Sequence, residues 1–375
     1  MVLPWERAPE LPWRHFIGWP EQWGAQPSFL VGEYLFIVVA MVALLHARAC
    51  GRKHVLTWVA ALVAGTANDM FFMALPLVDN FWQAQATVMI TPRLPLYIPC
   101  VYVCFLYVPK VAVWRLGLPP LAAAGATGLA AILFYAPYDI VGAEYLWWTW
   151  HDTDTPIAAR ILGAPIGSTM WVVTFASAYS WLLDRAIAWD PALRSRGFAI
   201  ALALVAVSST PLMMLVMAPL QQLDGGLPGV RGLVGLLALV VSMAVLGWRR
   251  RDRTPERPPS DRVLWGAVML HFASLATIAV AFDPATHVAT GIHQRIGPCD
   301  AMATDISGRI RQEYLCASDF SESFTLCGTL PPALAQWYTV CGRGRQPRMG
   351  WLASVLGLAL VGIAAFTWLL RRRSD

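Results

Sequence analysis

The sequence predicts an all-α fold, a polytopic transmembrane helix bundle of about nine spans with one disulfide-bearing exoplasmic loop. Of its 375 residues, 57% are hydrophobic and only 14% are charged, and the mean hydropathy is +0.53. An ordinary soluble domain is roughly a quarter charged, so this composition excludes a water-soluble globular protein. The formal charge of +5 comes from arginine clusters and gives no reason to expect a nucleic-acid partner.

Nine apolar segments are long enough to span a bilayer, because a helix needs about 20 mainly apolar residues to cross about 30 Å of hydrocarbon. The predicted spans are 29–47, 55–76, 88–108, 117–137, 165–184, 197–219, 229–248, 263–282 and 350–370. The third is the weakest, since Arg93, Pro95 and Pro99 lie inside it. It is kept because removing it would disrupt the alternation of basic connections.

The basic residues predict the orientation of the chain, because cytoplasmic loops collect Lys and Arg. Alternate connections, starting after the first span, together with the C-terminal tail hold 17 of the 28 basic residues. Both lysines, Lys53 and Lys110, belong to this set and are placed at segment ends. We therefore predict an integral membrane protein with its N-terminus outside and its C-terminus in the cytoplasm.

These spans divide the chain into four parts. Residues 1–28 are predicted to lie along the outer interface, anchored by tryptophans and without the continuous apolar core of a signal peptide. Residues 29–248 form a seven-span membrane domain, followed by a cytoplasmic Arg/Pro linker over 249–262. Residues 263–375 form a two-span unit that carries the exoplasmic loop 283–349.

Most of the cysteines fall in that loop, namely Cys299, Cys316, Cys327 and Cys341. Four cysteines in one exoplasmic loop predict two disulfides, and sequence leaves three pairings open. A zinc knot is the alternative. No CxxC pair occurs, however, and the spacings are too wide for paired thiolate ligands, so disulfides are expected.

Polar residues within the spans mark a candidate site, because an ionisable group in hydrocarbon must be paired or line a wet cavity. Asn68 and Asp69 lie near the predicted outer end of the second span, Arg93 near the outer start of the third, and Asp139 just after the fourth. Glu33 lies at the outer start of the first. We therefore predict one polar pocket at the outer ends of spans one to five, with Asp69 as a proton carrier or as the ion-pair partner of Arg93.

The connection after span four is the densest part of the chain in titratable and indole side chains. If its middle is helical, Glu144, Trp148, His151 and Asp152 share one face. Carboxylates beside an imidazole are the parts of an acid–base site. The predicted catalytic residues are Asp69, Asp139, Glu144, His151 and Asp152. The predicted substrate-binding residues are Asn68, Arg93, Trp147, Trp148, Trp150, Asp154 and Arg160.

Structural roles compete with these assignments. The three tryptophans of the connection are equally typical of interfacial anchors, and Asp152 and Asp154 of turns before a proline. A metal site is a further alternative, with His151, Asp152 and Asp154 joined by Asp139 or Glu144 and by His287 or His293. The spacing fits no specific metal motif. Neither a metal nor a cofactor is predicted.

One stretch resembles a known family. Asp139, then Trp148-Thr-Trp150, Gly163-Ala-Pro165 and Trp171, resemble the pattern of membrane-embedded carotenoid hydratases and related cyclases over about 35 residues, with Ser168 where those proteins usually carry Asn. The resemblance implies a cofactor-free reaction in which Asp69, Asp139 or Glu144 protonates an isoprenoid double bond and indole faces stabilise the carbocation. The segment 68–181 also resembles an uncharacterised multi-spanning family with a domain of unknown function.

Three functions follow as hypotheses. The first is a cofactor-free acid–base enzyme, of the lyase or isomerase kind, acting on a membrane lipid or a hydrophobic small molecule such as an isoprenoid. The second is a proton-coupled transporter, which would need a polar path to the other side. The third is a receptor or assembly subunit that binds a protein partner through loop 283–349. The inner halves of the spans contain little charge, which favours a one-sided pocket.

Overall fold

The computed structural model describes residues 12–78, 81–151, 153–252, 260–317, 322–344 and 347–371. The helices are α1 Trp19–Ala25, α2 Pro27–Cys50, α3 Arg52–Ala74, α4 Tyr97–Trp114, α5 Pro120–Glu144, α6 Thr155–Ala158, α7 Ile166–Trp189, α8 Ser195–Gln221, α9 Val230–Trp248, α10 Arg262–Ala281 and α11 Arg348–Leu370. The strands are β1 Phe81–Gln83, β2 Met89–Thr91, β3 Leu94–Pro95, β4 Trp148–Trp150, β5 Arg160–Ile161, β6 Ala164–Pro165, β7 Val288–Ile292, β8 Ile296–Gly297, β9 Met302–Thr304, β10 Ile310–Gln312, β11 Leu315–Cys316 and β12 Trp337–Cys341.

Long apolar helices make up most of the molecule, as predicted. Within the described residues, eight helices are long and apolar enough to cross a membrane: α2, α3, α4, α5, α8, α9, α10 and α11. The predicted fifth span corresponds to α7, which has the length but is not among the eight. Its apolar sequence is interrupted by hydroxyl-bearing residues and by Asp184 and Arg185.

The connections between the long helices alternate between two ends of the bundle. At one end β1 pairs with β4, and Ala84 bridges to Gly291 in the segment between α10 and α11. We call that segment, residues 282–347, the lid, and this end of the bundle the lid end. At the opposite end the backbone N–H of Asp252 donates to the carbonyl of Gly117 at 2.9 Å, and that of Asp261 to the carbonyl of Leu370 at 2.8 Å.

Helix α4 forms the centre of the bundle, packed against α2, α3, α5, α7 and α11. Its side chains are therefore buried along nearly the whole helix. This position corrects the placement of Lys110 at a segment end, because Lys110 lies inside α4 and is fully buried. Its Nζ donates to Asp184 Oδ2 at 2.6 Å and to Ser180 Oγ at 2.7 Å.

The predicted third span begins too early. Residues 89–95 form the short antiparallel pair β2–β3, and the helix starts only at Tyr97. The hydroxyl of Thr91 accepts hydrogen bonds from the backbone N–H groups of Arg93 and Leu94, which fixes a turn. Pro95 then has no N–H to contribute to a helix. Arg93 thus lies in a hairpin and not in a helix.

The all-α prediction is also incomplete, because six two-stranded sheets occur among the described residues. In the lid, β7 pairs with β12, β9 with β10, and β8 in parallel with β11. The predicted disulfides are confirmed, and the structure selects one of the three open pairings: Cys299–Cys316 and Cys327–Cys341. The lid is therefore a small crosslinked layer folded onto the helix ends.

Helices α10 and α11 pack on α2, α4 and α5. The predicted two-span unit therefore shares the core of the preceding helices. The middle of the predicted linker 249–262 and the first eleven residues of the predicted interfacial segment lie outside the described residues.

Close packing of α2 against the segment after α5 yields a first test. A Cβ on Gly32 would lie 2.2 Å from the Trp147 ring, which is fully buried. We expect Gly32→Ala to destabilise the protein by about 1–3 kcal/mol through overpacking. The matched control is Gly266→Ala on α10, where a Cβ meets nothing within 4 Å and should be neutral or stabilising by up to about 1 kcal/mol. Thermal unfolding in detergent measures both, and equal melting temperatures would contradict the packing argument.

Candidate functional site

A cavity of about 430 Å³ lies beneath the lid, between the lid-end parts of α3, α4, α5, α7 and α8. This volume is typical of small-molecule sites. The walls are mainly aromatic and apolar, with Phe72, Phe105, Trp171 and Met217 among them. Residues 305–311 of the lid, between β9 and β10, contribute to the cavity from outside the bundle.

A chain of hydrogen bonds joins the polar residues of this cavity. The Tyr102 hydroxyl donates to Asp69 Oδ1 at 2.6 Å. Asn68 Nδ2 lies 3.5 Å from the same hydroxyl, and Thr210 Oγ1 donates to Asn68 Oδ1 at 2.9 Å. Asp69 precedes the end of α3 by five residues, about 7.5 Å of helix rise. The predicted pair Asn68 and Asp69 is thus held inside the bundle by α4 and α8.

The other predicted acids of the spans lie outside this cavity. Asp139 is buried behind Tyr135 and Ser168, whose side chains interact with its carboxyl group, and its Oδ1 has no hydrogen-bond partner within the described residues. Glu33 is a structural clamp: its carboxylate accepts hydrogen bonds from Thr87 and from the backbone N–H of Val88.

Arg93 contacts the hairpin region next to the cavity and does not line the cavity itself. Its Nη2 donates to the Phe81 carbonyl at 3.0 Å, and its guanidinium lies 4.1 Å from the centre of the Trp82 ring. Its charge also acts on Asp69. Arg93 is therefore a neighbour of the site and is held by Phe81 and Trp82.

The segment after α5 is a strand and not the helix on which the predicted common face depended. Helix α5 ends at Glu144, and Leu146 takes a left-handed conformation with φ of 57°. In β4, Trp148 and Trp150 point to one face because side chains alternate along a strand. Both line the cavity. The single helical face of Glu144, Trp148, His151 and Asp152 does not form, and Asp152 lies outside the described residues.

Trp147 belongs to the core and not to the cavity. Its Nε1 donates to Ser28 Oγ at 3.1 Å, and its ring stacks on Phe29 at 5.8 Å between centroids. The side chain is fully buried. Of the three predicted indoles, the structure brings Trp148 and Trp150 to the cavity and assigns Trp147 to packing.

Glu144 and Arg160 line a second, smaller cavity of about 270 Å³. Trp148 and Trp150 line both cavities, so the two indoles form a partition between them. The Arg160 Nη1 donates to the Gly163 carbonyl at 2.8 Å, and its guanidinium lies 5.5 Å from the Trp150 ring centre. These two predicted residues therefore lie on the far side of the partition from Asp69.

Asp154 is part of a buried ion-pair network that fixes the lid. Arg311 Nη1 donates to Asp154 Oδ2 at 2.8 Å, and Arg311 Nε donates to Asp305 Oδ2 at 2.6 Å. All three side chains are buried. Burial raises the pKa of Asp305, but hydrogen bonds from Ser307, from the backbone N–H of Arg309 and from Arg311 outweigh it and lower the pKa to about 2.

His151 also contacts the lid. Its Nε2 lies 3.0 Å from Glu322 Oε1, and both groups are buried. Thr153 joins this pair, contacting His151 and donating to Gln312 Oε1 at 2.6 Å. His151 and Asp154 therefore interact with separate lid partners. Within the described part of the chain, neither belongs to a group of three or more metal-ligating side chains close enough to share an ion.

His293 packs the lid onto β4 from the opposite face. Its Nδ1 lies 3.3 Å from Thr149 Oγ1, and its ring stacks on Tyr338 at 4.6 Å. Burial lowers the pKa of His293 to about 3, so this histidine is neutral at physiological pH. The contact is a docking contact between neutral groups.

Four residues that line the cavity are not among the site residues predicted from the sequence: Tyr102, Ser168, Trp171 and Arg311. Tyr102 gave no signal, since tyrosine within an apolar helix is unremarkable in composition. Trp171 and Ser168 were noted only as parts of the motif. Arg311 lies in the long loop, where basic residues carry little topological information, and its partner Asp154 is 157 positions away in sequence.

The fold defines a membrane-type helical protein with a lidded apolar cavity. Residues 20–370 match the family described as Domain of unknown function (DUF7802), and the chain belongs to that family. No curated protein and no solved structure matches the chain. The resemblance to an uncharacterised multi-spanning family is thus confirmed, whereas no comparison shows the resemblance to carotenoid hydratases or cyclases.

The buried network of Arg311 yields a test of lid docking. We expect Arg311→Met to destabilise the docked lid by about 3–5 kcal/mol, because Asp154 and Asp305 would keep buried charges without their counter-charge. Arg295→Met is the control, since Arg295 is exposed on the same lid and the substitution removes the same charge. Hydrogen exchange of the lid amides measures the effect. Unchanged protection in Arg311→Met would contradict the proposed role of the network.

Proposed function

We propose that the protein binds a hydrophobic or amphipathic small molecule, such as a membrane lipid or an isoprenoid, in the cavity beneath the lid, and that Asp69 exchanges a proton with it. The observation that carries this proposal is the position of the Asp69 carboxyl inside the bundle, in a cavity whose walls are mainly aromatic and apolar. A carboxyl group in such surroundings needs a functional or structural reason. Its partner Tyr102 satisfies one oxygen only.

The chemistry of the cavity suits a molecule with a long apolar part. Trp148, Trp150 and Trp171 offer ring faces on which a developing cation would be stabilised. Tyr102 holds one oxygen of Asp69, which leaves the other for a ligand. No metal and no organic cofactor is needed for such a proton transfer. The proposal is therefore an acid–base site of the lyase or isomerase kind.

A sideways opening supports a ligand that arrives from the membrane. Met214 and Ala218 of α8 line the cavity and are also exposed on the side of the bundle. Ile306 at the tip of the lid turn lines the cavity and is 75% exposed. These three apolar residues lie where acyl chains would contact the helices, so a lipid-like molecule could enter without crossing water.

The lid supports an enzyme or binding protein more directly than a receptor. Its polar side chains Arg311, Glu322 and His293 face the helix bundle and are used in docking. A protein partner would have to bind the outer surface of the lid. We therefore assign the lid to closing the cavity.

A lipid analysis with matched variants tests the proposal. The full chain is purified in nanodiscs, and hydrophobic molecules that co-purify are identified by mass spectrometry. We expect Tyr102→Phe to weaken binding about three- to tenfold, the usual effect of losing one hydrogen bond of about 1 kcal/mol. Asp69→Asn should retain binding but stop any conversion of the molecule, since the amide cannot transfer the proton.

Tyr179→Phe is the matched control for Tyr102→Phe. Tyr179 is a fully buried tyrosine whose hydroxyl donates to the Thr57 carbonyl at 2.5 Å, and it does not line the cavity. Removal of the Tyr179 hydroxyl should leave the identity and the amount of the bound molecule unchanged. The proposal fails if wild-type protein carries no selected hydrophobic molecule and the lipid profile of cells is the same with and without it.

We also propose that the lid end faces the exoplasm and that the C-terminus is cytoplasmic. The two disulfides of the lid support this orientation because disulfides persist in oxidising compartments. Cys50, a free and exposed thiol, lies at the opposite end. After metal has been removed with a chelator, we expect an impermeant maleimide to label Cys50 only in permeabilised cells. The lid cysteines should be labelled in intact cells only after reduction. Labelling of Cys50 in intact cells would reverse the orientation.

A further inference from the structure

A cluster of metal-ligating side chains lies at the opposite end of the bundle from the cavity. His46 and Cys50 are one helical turn apart on α2, and His54 lies in the first turn of α3. Their ligand atoms all lie within 4.8 Å of one another. Asp261, the residue that caps the start of α10, places Oδ2 at 2.8 Å from His46 Nε2.

The distance between Cys50 and His46 suits two ligands of one tetrahedral ion. Cys50 Sγ lies 3.4 Å from His46 Nε2. Around a four-coordinate zinc, with Zn–N near 2.0–2.1 Å and Zn–S near 2.3 Å, neighbouring ligand atoms are about 3.3–3.8 Å apart. Three separate helices, α2, α3 and α10, contribute the four groups, so an ion here would join them.

Tyr107 supports this arrangement from α4. Its hydroxyl lies 2.7 Å from His46 Nδ1 and 3.4 Å from His54 Nδ1. When the Nδ1–H of His46 donates to Tyr107, Nε2 carries no hydrogen. The lone pair of Nε2 then faces Cys50 and Asp261 and can bind a metal ion. Ligating histidines almost always donate their other ring N–H in this way.

Two basic residues lie near the cluster, and their charges act on it, that of Lys53 on His54 and that of Arg115 on Asp261. The Lys53 ammonium lies 3.7 Å from the centre of the Trp114 ring, and Arg115 Nε donates to the Leu369 carbonyl at 2.8 Å. Cys50 is exposed, so the cluster is accessible from solvent. Helix geometry already brings Cys50 beside His46, four residues earlier on α2, whereas His54 approaches from the next helix.

We propose that His46, Cys50 and His54 bind a divalent transition-metal cation of the zinc class, and that the Asp261 carboxylate, which contacts His46, completes the set of ligands. Two imidazoles, a thiolate and a carboxylate are ligands that zinc accepts together, whereas calcium and magnesium prefer oxygen alone. The ion would tie the start of α10 to the α2–α3 corner. This site is separate from the cavity and does not depend on the proposed function.

The test measures the binding of cobalt and zinc to the full chain. The protein is purified in detergent with a tag that contains no histidine. We expect one equivalent of Co²⁺ with a thiolate-to-metal charge-transfer band, displaced by Zn²⁺. Cys50→Ser should abolish the band and weaken Zn²⁺ binding at least about tenfold, and Tyr107→Phe should weaken it about 10- to 100-fold. Zn²⁺ should also protect Cys50 from alkylation.

The double variant Cys100→Ser, Cys104→Ser is the control, because it removes the other two free thiols, which lie elsewhere in α4. It should keep both the band and the affinity. Melting temperatures measured without metal check that each variant folds. Because Cys50 is exposed, Cys50→Ser is the variant least expected to disturb folding. A stoichiometry, affinity and spectrum that are the same in wild type and Cys50→Ser would overturn the proposal.

Discussion

The ion pairs of Arg311 with Asp154 and Asp305 are the constraint on which the lid end depends. Three charged groups are buried together there, and each is acceptable only while its partners stay in place. Asp154 belongs to the connection between α5 and α7, while Arg311 and Asp305 belong to the lid. Arg311 and Asp305 therefore both dock the lid and line the cavity. Disulfides and short strands keep the lid rigid enough to place Arg311 there.

Helix α4 links the two ends of the molecule. It is buried on all sides, so each of its polar side chains needs a partner inside the bundle. Tyr102 meets Asp69 in the cavity, Tyr107 meets His46 at the opposite end, and Lys110 meets Asp184. One apolar helix thus organises the candidate acid–base site, the candidate metal site and a buried ion pair.

Part of the site could be predicted from the sequence. Asn68, Asp69, Trp148 and Trp150 line the cavity, and they stood out because polar groups in an apolar span and clustered indoles are rare. The grouping of the remainder could not be predicted. A helix over 144–152 would place Glu144, Trp148, His151 and Asp152 on one face, but Leu146 takes a left-handed conformation after α5 and β4 pairs with β1. As a result, Trp147 lies in the core and His151 contacts Glu322.

The sequence alone determined the long apolar helices, the alternation of their connections and the four cysteines of one loop, because hydropathy, helix length and cysteine spacing are local properties. Tertiary structure decided which cysteines pair, where α4 begins, and which partner each buried charge finds. Arg311 contacts Asp154 across 157 positions of the sequence, and Asp261 contacts His46 although the two residues are about 215 positions apart. Such pairs depend on how helices and lid pack in three dimensions, and hydropathy does not encode that packing.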